Sequence, residues 1–448
     1  MAGLEATNGS HMNPAMLTDL YELTMMAGYW EDGRADDTAT FDLFHRHAPR
    51  GVDVVLTCGL DPVLDYLEQL HFEADDIDYL RSLDLFRDDF LALLGGLRFT
   101  GDIWAVREGL PVFPHEPMVR VTAPLIQAQL VETYLLNQVS YSSLVGSFAA
   151  QVANAARGKP IMEFGARRAH GPDGALTGSR AAAIGGCAAT SNLAAGQRFG
   201  VPVSGTQAHS WIMAYRDELT AFRTYARAFP DSCVLLVDTY DTLGSGVPNA
   251  ITVAHELARD GHRLHAVRLD SGDLPTLARA TRVQLDDAEL EHVQIVASGD
   301  LDAPRIAELE AADVPIDGYG VGTSLLTAAG DPTFSGVYKL AEITGDPVLK
   351  ISGTPAKTTD PGRKQVWRHT DGDVIGLEDE DRDGEPLLVP VLRAGRRTEP
   401  AVPVDQLQRR AAEALAAIRP MVHERRWTVR RSTALQRMRA DLIRSHEP

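Results

Sequence analysis

From Pro160 onward, the chain repeats one pattern seven times: a short apolar run that ends in polar or glycine residues. The runs read PIMEF, GCAA, VPVSG, CVLLVD, LHAVRLD, VQIVASGD and PIDGYGVG. Intervening stretches such as PNAITVAHELARDG are long enough for the helix that joins two parallel strands. The repeat therefore predicts an α/β fold, most simply an irregular TIM-like β/α barrel of about seven βα units.

The segments that flank this repeat predict a second domain, of the α+β type, that both of them build. Residues 13–145 begin with an amphipathic helix at LTDLYELTMMAGYW, continue with strand-like runs and end in a long helical run. Residues 346–400 return to strand-like pieces such as KQVWRHT, which can complete the same sheet. The barrel is then expected at 146–345 and a helical C-terminal tail at 401–448.

Composition and charge exclude several classes of protein. The chain has 448 residues, with 43 Lys and Arg against 62 Asp and Glu, and its net charge of −19 is unlike that of a general nucleic-acid binder. It contains no run of about 18 apolar residues, the length that spans a membrane. Residues 1–12 are expected to be the remnant of an expression tag, and the three widely spaced cysteines predict reduced thiols in a cytoplasmic protein.

Polar residues follow the apolar runs directly, at the end of a β/α barrel where active sites lie. They are Arg167, Arg168, Ser191, Asn192, Thr206, His209, Asp238, Arg268, Asp270, Asp273, Ser298, Gly299, Asp300, Gly320, Gly322, Thr323 and Ser324. Together they predict one pocket that contains arginines, carboxylates, a histidine and two glycine turns.

The two glycine turns are candidates for phosphate binding. SGD at 298–300 and GYGVGTS at 318–324 each follow a predicted strand, and glycine allows backbone N–H groups to approach an anion. Either sequence alone is more typical of a simple turn, but the phosphate sites of barrels favour the late strands, where both turns lie. The sequence contains no Walker A, GxGxxG or HExxH motif that would indicate a different nucleotide or zinc site.

Two acidic residues and one histidine are candidates for the chemistry. Asp270 directly ends an apolar run, where a carboxylate can hold ribose hydroxyls or Mg²⁺, whereas Asp273 is well suited to cap the next helix. His209 follows the VPVSG run and can serve as a base or as a nucleophile. The spacing of the residues does not decide between these two roles.

In their order and spacing, these motifs resemble the nicotinate phosphoribosyltransferase family. The resemblance covers about residues 16–370 and includes TDLYELTM, FGARRAHGPDG, ATSNLAAGQRFGVPVSGTQAHS, DTYDTLGSGVPNA, VRLDSGDL, GVGTS and GVYKL. It implies that nicotinate reacts with phosphoribosyl pyrophosphate to give nicotinate mononucleotide and pyrophosphate, with Mg²⁺ as cofactor. It also implies that ATP, as a co-substrate, phosphorylates His209, and that the protein is a homodimer.

The same resemblance implies a role for individual residues. It puts Tyr21 of the neighbouring subunit and Phe164 on opposite faces of the pyridine ring. The residues implied at the nicotinate carboxylate are Arg167, Ser191, Thr206 and Arg268. Those implied in ribose or magnesium contacts and in catalysis are Asp238 and Asp270, together with Arg268 and His209. Those implied at phosphoribosyl pyrophosphate are Asp270, Ser298, Gly299, Gly320, Gly322 and Thr323.

Four alternative functions differ from this one in identifiable features. A nicotinamide-using relative has an aspartate where Ser191 stands, and that charge would repel the carboxylate of nicotinate. A quinolinate-using phosphoribosyltransferase has a shorter chain and no histidine of this kind. A nucleotide-binding relative without catalysis would be favoured by loss of His209, Asp270 or Arg268, all of which are present. A metal-dependent barrel hydrolase would need more histidines at the strand ends.

Overall fold

A computed structural model describes residues 13–354 and 357–446, which form two compact units. The first unit consists of the described residues up to Ser143, Thr333–Val402 and the residues from Glu413 onward, and the second consists of Leu144–Pro332 and Pro403–Ala412. The expected tag remnant at 1–12 lies outside the described residues. Among the described helices, none combines the length and the hydropathy of a membrane span.

The N-terminal part of the chain alternates short strands with helices. Its strands are β1 (Thr38–His45), β2 (Val55–Leu56), β3 (Asp102–Val106), β4 (Pro111–Val112) and β5 (Val119–Pro124). Its helices are α1 (Leu20–Glu31), α2 (Leu60–Gln69), α3 (Ala74–Ser82), α4 (Asp88–Gly96), α5 (Leu125–Leu130) and α6 (Glu132–Ala155).

The middle part of the chain follows the βα repeat that the sequence predicts. Its strands are β6 (Ile161–Glu163), β7 (Ala189–Thr190), β8 (Val234–Leu236), β9 (Ala266–Leu269), β10 (Gln294–Ala297) and β11 (Gly318–Val321). Its helices are α7 (Gly171–Ile184), α8 (Leu193–Phe199), α9 (His209–Met213), α10 (Glu218–Ala228), α11 (Val247–Arg259), α12 (Leu274–Asp287), α13 (Ala303–Ala311) and α14 (Thr323–Leu326).

The C-terminal part returns to strands and ends in two helices. Its strands are β12 (Gly336–Ile343), β13 (Asp346–Pro347), β14 (Lys364–Arg368), β15 (Gly372–Leu377), β16 (Glu385–Pro386), β17 (Leu388–Arg393), β18 (Arg396–Arg397) and β19 (Thr428–Arg431). Its helices are α15 (Val404–His423) and α16 (Thr433–Ser445).

An antiparallel sheet of seven strands forms the first unit, in the order β13-β12-β1-β5-β3-β17-β18. Strand β3 pairs with β5 on one side and with β17 on the other, so segments from before and after the βα repeat build one sheet. The sequence GVYKL, which the pattern placed in the barrel segment at 146–345, lies in β12 and belongs to this sheet instead. A second sheet of the same unit has the order β16-β14-β15-β19.

A parallel sheet of six strands forms the second unit, in the order β7-β6-β11-β10-β9-β8. The apolar side chains of its central strands are fully buried, for example Val267, Ile295 and Val321. Helices cross between consecutive strands, and several have Asn or Asp at the N-cap position, among them α8, α10 and α13. In α13, Asp302 accepts a hydrogen bond from the Arg305 N–H at 2.8 Å, an N-cap that offsets the unpaired amides of the first turn.

The seventh predicted strand, VPVSG, is not part of a ladder. It forms one parallel bridge, between Val203 and Thr190, because Pro202 has no N–H to donate. Just after this segment, the side chain of Gln207 contacts β8: its Nε2 donates to the Val234 carbonyl oxygen at 3.1 Å. The mixed α/β fold is therefore present, but a closed barrel of seven units is not confirmed.

Candidate active site

Every strand of the parallel sheet is followed by a predicted site residue. These are Phe164 after β6, Ser191 after β7, Asp238 after β8, Asp270 after β9, Ser298 after β10 and Gly322 after β11. Because all the strands are parallel, their carboxyl ends lie at the same edge of the sheet, which is where open α/β sheets bind ligands.

The carboxylates of Asp238 and Asp270 each accept hydrogen bonds from neighbouring groups at this edge. The backbone N–H of Asp270 and the hydroxyl of Ser271 donate to Asp238 Oδ2 at 2.7 and 2.8 Å. The Ser298 hydroxyl donates to Asp270 Oδ1 at 2.5 Å. Asp238 Oδ1 is buried and has no hydrogen-bond partner in the structure. Asp238 Oδ1 therefore remains available to a cation or a hydroxyl group.

His209 begins helix α9 and lies beside Asp270. Its Nδ1 is 3.1 Å from the Thr239 hydroxyl oxygen, and its Nε2 is 3.6 Å from Asp270 Oδ2. When Nδ1 carries the proton and donates it to Thr239, Nε2 keeps a free lone pair. The imidazole is 39% exposed, so this nitrogen can be reached by a substrate.

Arg268 points into the same site from β9. Its guanidinium donates to the Thr206 hydroxyl at 3.0 Å and to the Gln207 carbonyl oxygen at 2.8 Å, while its Nε is buried without a partner. Burial lowers the pKa of Arg268, and the positive charge of Arg167 lowers it further. The carboxylates of Asp270 and Asp238 raise the pKa of Arg268 and oppose these two effects. With its Nε unpaired, the Arg268 guanidinium still offers a donor to a further anion.

Close packing requires glycine at two positions of the predicted glycine turns. A Cβ on Gly320 would lie 2.6 Å from the Phe164 ring, so the ring rests on this glycine. Gly299 has φ +86°, and a Cβ there would lie 1.9 Å from the carbonyl oxygen of Asp270. Both glycines therefore set the positions of site residues, a requirement that is independent of phosphate binding.

The remaining predicted residues differ in their surroundings. Arg167 and Arg168 lie in a 3₁₀ turn at Ala166–Arg168 and are exposed. Asn192 caps α8 by accepting a hydrogen bond from the Ala194 N–H at 3.1 Å. Asp273 occupies the N-cap position of α12, but its side chain accepts from the Thr276 hydroxyl at 2.5 Å and makes no capping hydrogen bond to the helix backbone.

Tyr21 lies in the first unit, on α1, and 47% of its surface is exposed. Partial burial raises the pKa of its hydroxyl, and the nearby Glu22 and Glu132 carboxylates raise it further. Glu22 is itself buried, accepts a hydrogen bond from Gln129, and has its pKa raised to about 7 by burial. The aromatic face of Tyr21 is thus presented on the surface while its hydroxyl stays protonated at neutral pH.

Three residues at this edge were not predicted from the sequence. Thr239 contacts the His209 imidazole, Gln207 contacts Arg268 and Glu163 binds the turn after β6. Glu163 had a visible signal, because a glutamate at the end of the apolar run PIMEF becomes buried when the run forms a central strand. Thr239 and Gln207 carry no local signal, since only the fold brings them to the site.

Two family models match the chain, and together they cover most of it. The first is described as the nicotinate phosphoribosyltransferase (NAPRTase) N-terminal domain and matches residues 16–140. The second is described as the nicotinate phosphoribosyltransferase (NAPRTase) family and matches residues 160–381, which include the edge that carries His209, Arg268 and Asp270.

Individual relatives give the same result. The chain is 48% identical over 396 residues to nicotinate phosphoribosyltransferase pncB2 of Mycobacterium tuberculosis, covering 87% of this chain and 84% of that protein. It is 46% identical over 384 residues to nicotinate phosphoribosyltransferase of Bacillus subtilis, covering 83% of this chain and 78% of that protein. The crystal structure of human nicotinic acid phosphoribosyltransferase matches with a TM-score of 0.83 and 31% identity, covering 95% of this chain and 99% of that chain.

Proposed function

Because the chain belongs to the nicotinate phosphoribosyltransferase family, we propose that it transfers the phosphoribosyl group of phosphoribosyl pyrophosphate to nicotinate. The nicotinate ring nitrogen attacks C1 of the ribose, and the bond between C1 and the pyrophosphate oxygen breaks. The products are nicotinate mononucleotide and pyrophosphate, and this reaction is the first step of NAD salvage from nicotinate.

The observation that carries this proposal is the half-buried guanidinium of Arg268, whose Nε is buried without a hydrogen-bond partner. A planar guanidinium matches the two oxygens of a carboxylate, and a buried cation of this kind binds best when an anion completes its hydrogen bonds. Phe164, directly after strand β6 at the same edge of the sheet, offers a ring face for the pyridine. Thr206 and Ser191 supply the hydroxyls expected next to the carboxylate.

Mg²⁺ is proposed to bind through the substrate phosphates and the carboxylates of Asp238 and Asp270. Asp238 Oδ1 is buried without a partner, and Mg²⁺ commonly takes one or two protein carboxylates together with phosphate oxygens and water. Within the described residues, no group of three or more His, Cys, Asp or Glu side chains forms a complete metal cage. When bound, the ion would neutralise phosphate charge.

ATP is proposed to phosphorylate His209. In the tautomer in which Nδ1 donates to the Thr239 hydroxyl, Nε2 is unprotonated, and this nitrogen can attack the terminal phosphorus of ATP and release ADP. Water later breaks the nitrogen–phosphorus bond and releases phosphate. Ser298, Gly299, Gly322 and Thr323 would contact the phosphoribosyl pyrophosphate, with Gly320 positioning Phe164 beneath the ring.

The compartment and the assembly are also proposals. The three cysteines, Cys58, Cys187 and Cys233, are buried and form no disulfide, which suits a reducing compartment such as the cytoplasm. The half-exposed ring of Tyr21 suits a homodimer in which each subunit completes the other's site.

The function is tested by measuring pyrophosphate and nicotinate mononucleotide together. With nicotinate, phosphoribosyl pyrophosphate and Mg²⁺, we expect equal amounts of both products, and a faster rate when ATP is added. The control omits nicotinate, because a pyrophosphohydrolase would release pyrophosphate without it. Release that does not depend on nicotinate, or no release at all, would contradict the proposed reaction.

The dimer makes a separate prediction about Tyr21. Subunits with Tyr21→Ala are mixed with subunits with His209→Ala, after dissociation and reassembly, and ATP-coupled product formation is measured. A mixed dimer has one site with both residues intact, so random mixing of a symmetric dimer should restore about a quarter of the wild-type rate. Stable mixed dimers without any restored activity would place Tyr21 in the site of its own subunit.

A further inference from the structure

The buried carboxylate of Glu163 holds two loops of the candidate site. Glu163 ends β6 and is completely buried. Its Oε1 accepts a hydrogen bond from the Gly165 N–H. Its Oε2 accepts hydrogen bonds from the hydroxyls of Ser179 at 2.8 Å and Thr190 at 2.6 Å. These donors come from the turn after β6, from helix α7 and from the end of β7.

The Gly165 bond fixes the loop that carries Phe164 and Arg167. The 3₁₀ turn at Ala166–Arg168 starts from this glycine, because the Arg168 N–H donates to the Gly165 carbonyl oxygen at 2.8 Å. On the other side, the Phe164 N–H donates to the Val321 carbonyl oxygen at 2.8 Å. The Glu163 carboxylate thus holds the amide that follows the aromatic residue and precedes the turn that carries the arginine.

The Thr190 bond fixes the loop that carries Ser191. The Thr190 hydroxyl accepts from the Asn192 N–H at 3.0 Å while it donates to Glu163. The Ser191 N–H donates to the backbone carbonyl oxygen of Glu163 at 2.9 Å. Both the main chain and the side chain of Glu163 therefore bind the turn between β7 and α8.

We propose that Glu163 is a positioning residue for nicotinate, which sets the spacing between the loop of Phe164 and Arg167 and the loop of Ser191. This inference rests on the proposed function, because it assumes that these loops contact nicotinate. Its side chain accepts from three donors on three separate elements, so a change of this one side chain alters all three attachments at once. Phosphoribosyl pyrophosphate is proposed to contact residues after β9, β10 and β11, which Glu163 does not bind through its side chain.

The first test is Glu163→Gln. The amide offers one acceptor oxygen where the carboxylate offers two, so it cannot accept from all three donors. With its oxygen toward Gly165, the NH₂ group faces the hydroxyls. Ser179 can donate to the Ala175 carbonyl oxygen at 2.9 Å, whereas Thr190 must turn away. We expect KM for nicotinate to rise about tenfold and KM for phosphoribosyl pyrophosphate to stay within about twofold.

The second test is Thr190→Val, which removes the hydroxyl but keeps the shape. It should raise KM for nicotinate in the same selective way, and it decides the matter if Glu163→Gln does not fold. The matched control is Thr281→Val, because the Thr281 hydroxyl is equally buried in the same unit but has no hydrogen-bond partner. This control should leave both KM values unchanged.

A second control separates positioning from general stability. Glu310→Gln alters another buried carboxylate of the same unit, which accepts a hydrogen bond from Tyr319 and binds Lys159 at 2.6 Å. It should lower Tm without changing KM for nicotinate. Equal rises of both KM values in Glu163→Gln and Thr190→Val, or an unchanged KM for nicotinate, would overturn the inference. Failure of the proposed function would differ, because the wild type itself would then lack nicotinate-dependent pyrophosphate release.

Discussion

The His209→Asn variant is expected to form no phosphoenzyme and to hydrolyse no ATP. Asparagine can still form a hydrogen bond with the Thr239 hydroxyl, but it has no nucleophilic nitrogen to take a phosphoryl group. A slow transfer that is independent of ATP should persist, because Arg268, Asp238 and Asp270 keep their hydrogen bonds. The variant therefore separates the chemistry of ATP from that of the ribose.

The measurement is the incubation of wild type and variant with ATP labelled on its terminal phosphate. Wild type should give a label that is labile in acid and stable in base, as a phosphoimidazole is. The matched control is His262→Asn, which alters another imidazole beside a carboxylate, with His262 Nδ1 2.8 Å from Asp231 Oδ1. The control should label normally. A label that survives in His209→Asn would mean that a different residue is phosphorylated.

The second large effect concerns Arg268 and the choice of substrate. Wild type should use nicotinate at least about a hundredfold better than nicotinamide in kcat/KM, because the neutral amide of nicotinamide cannot pair with the unpartnered Nε of Arg268 as a carboxylate can. Arg268→Gln should lower kcat/KM for nicotinate by about a hundredfold to a thousandfold, since a buried charge pair is lost. The same variant should change kcat/KM for nicotinamide much less.

Two further variants sharpen this measurement. Arg167→Gln tests whether the exposed member of the pair contributes, and a smaller loss than in Arg268→Gln is expected because solvent screens an exposed charge. Arg279→Gln removes an exposed arginine of α12 in the same unit and should leave both substrates unaffected. Comparable kcat/KM values for nicotinate and nicotinamide in the wild type would contradict the assigned substrate.

Local patterns predicted the parallel sheet and the edge that carries the site. Runs such as CVLLVD and VQIVASGD encode a buried strand and its end within a few residues, so six of the seven predicted strands are present. The VPVSG run has the same apolar pattern but contains Pro202, and it forms only a bridge. The strand β12 could not be assigned to its sheet, because its partner β1 lies about 300 residues earlier in the chain.

Candidate site residues that directly follow a strand could be predicted from the sequence. Residues whose role depends on the packing of distant segments were harder to predict. Asp270 and Ser298 come together because adjacent parallel strands end side by side. The importance of Gly320 for the Phe164 ring depends on two distant segments packing together, which no local pattern records. The role of Glu163 in holding the loops could not be predicted for the same reason, since its donors come from three separate elements.

The VPVSG segment, which forms only one bridge at the edge of the parallel sheet, has an energetic consequence for His209. Residues 204–208, just before it, lie in no helix or strand, and hydrogen bonds of Gln207 and Arg268 hold them. Each such bond contributes about 1 kcal/mol, so this segment can change conformation without breaking a strand ladder.

Two of these bonds belong to Arg268, the residue proposed to bind the nicotinate carboxylate. The proposed binding of nicotinate and the proposed phosphorylation of His209 therefore both act on this short segment, and we expect their free energies to be coupled. Linkage makes that coupling reciprocal. When phosphorylation of His209 strengthens the binding of nicotinate by a given free energy, bound nicotinate stabilises the phosphohistidine by the same free energy.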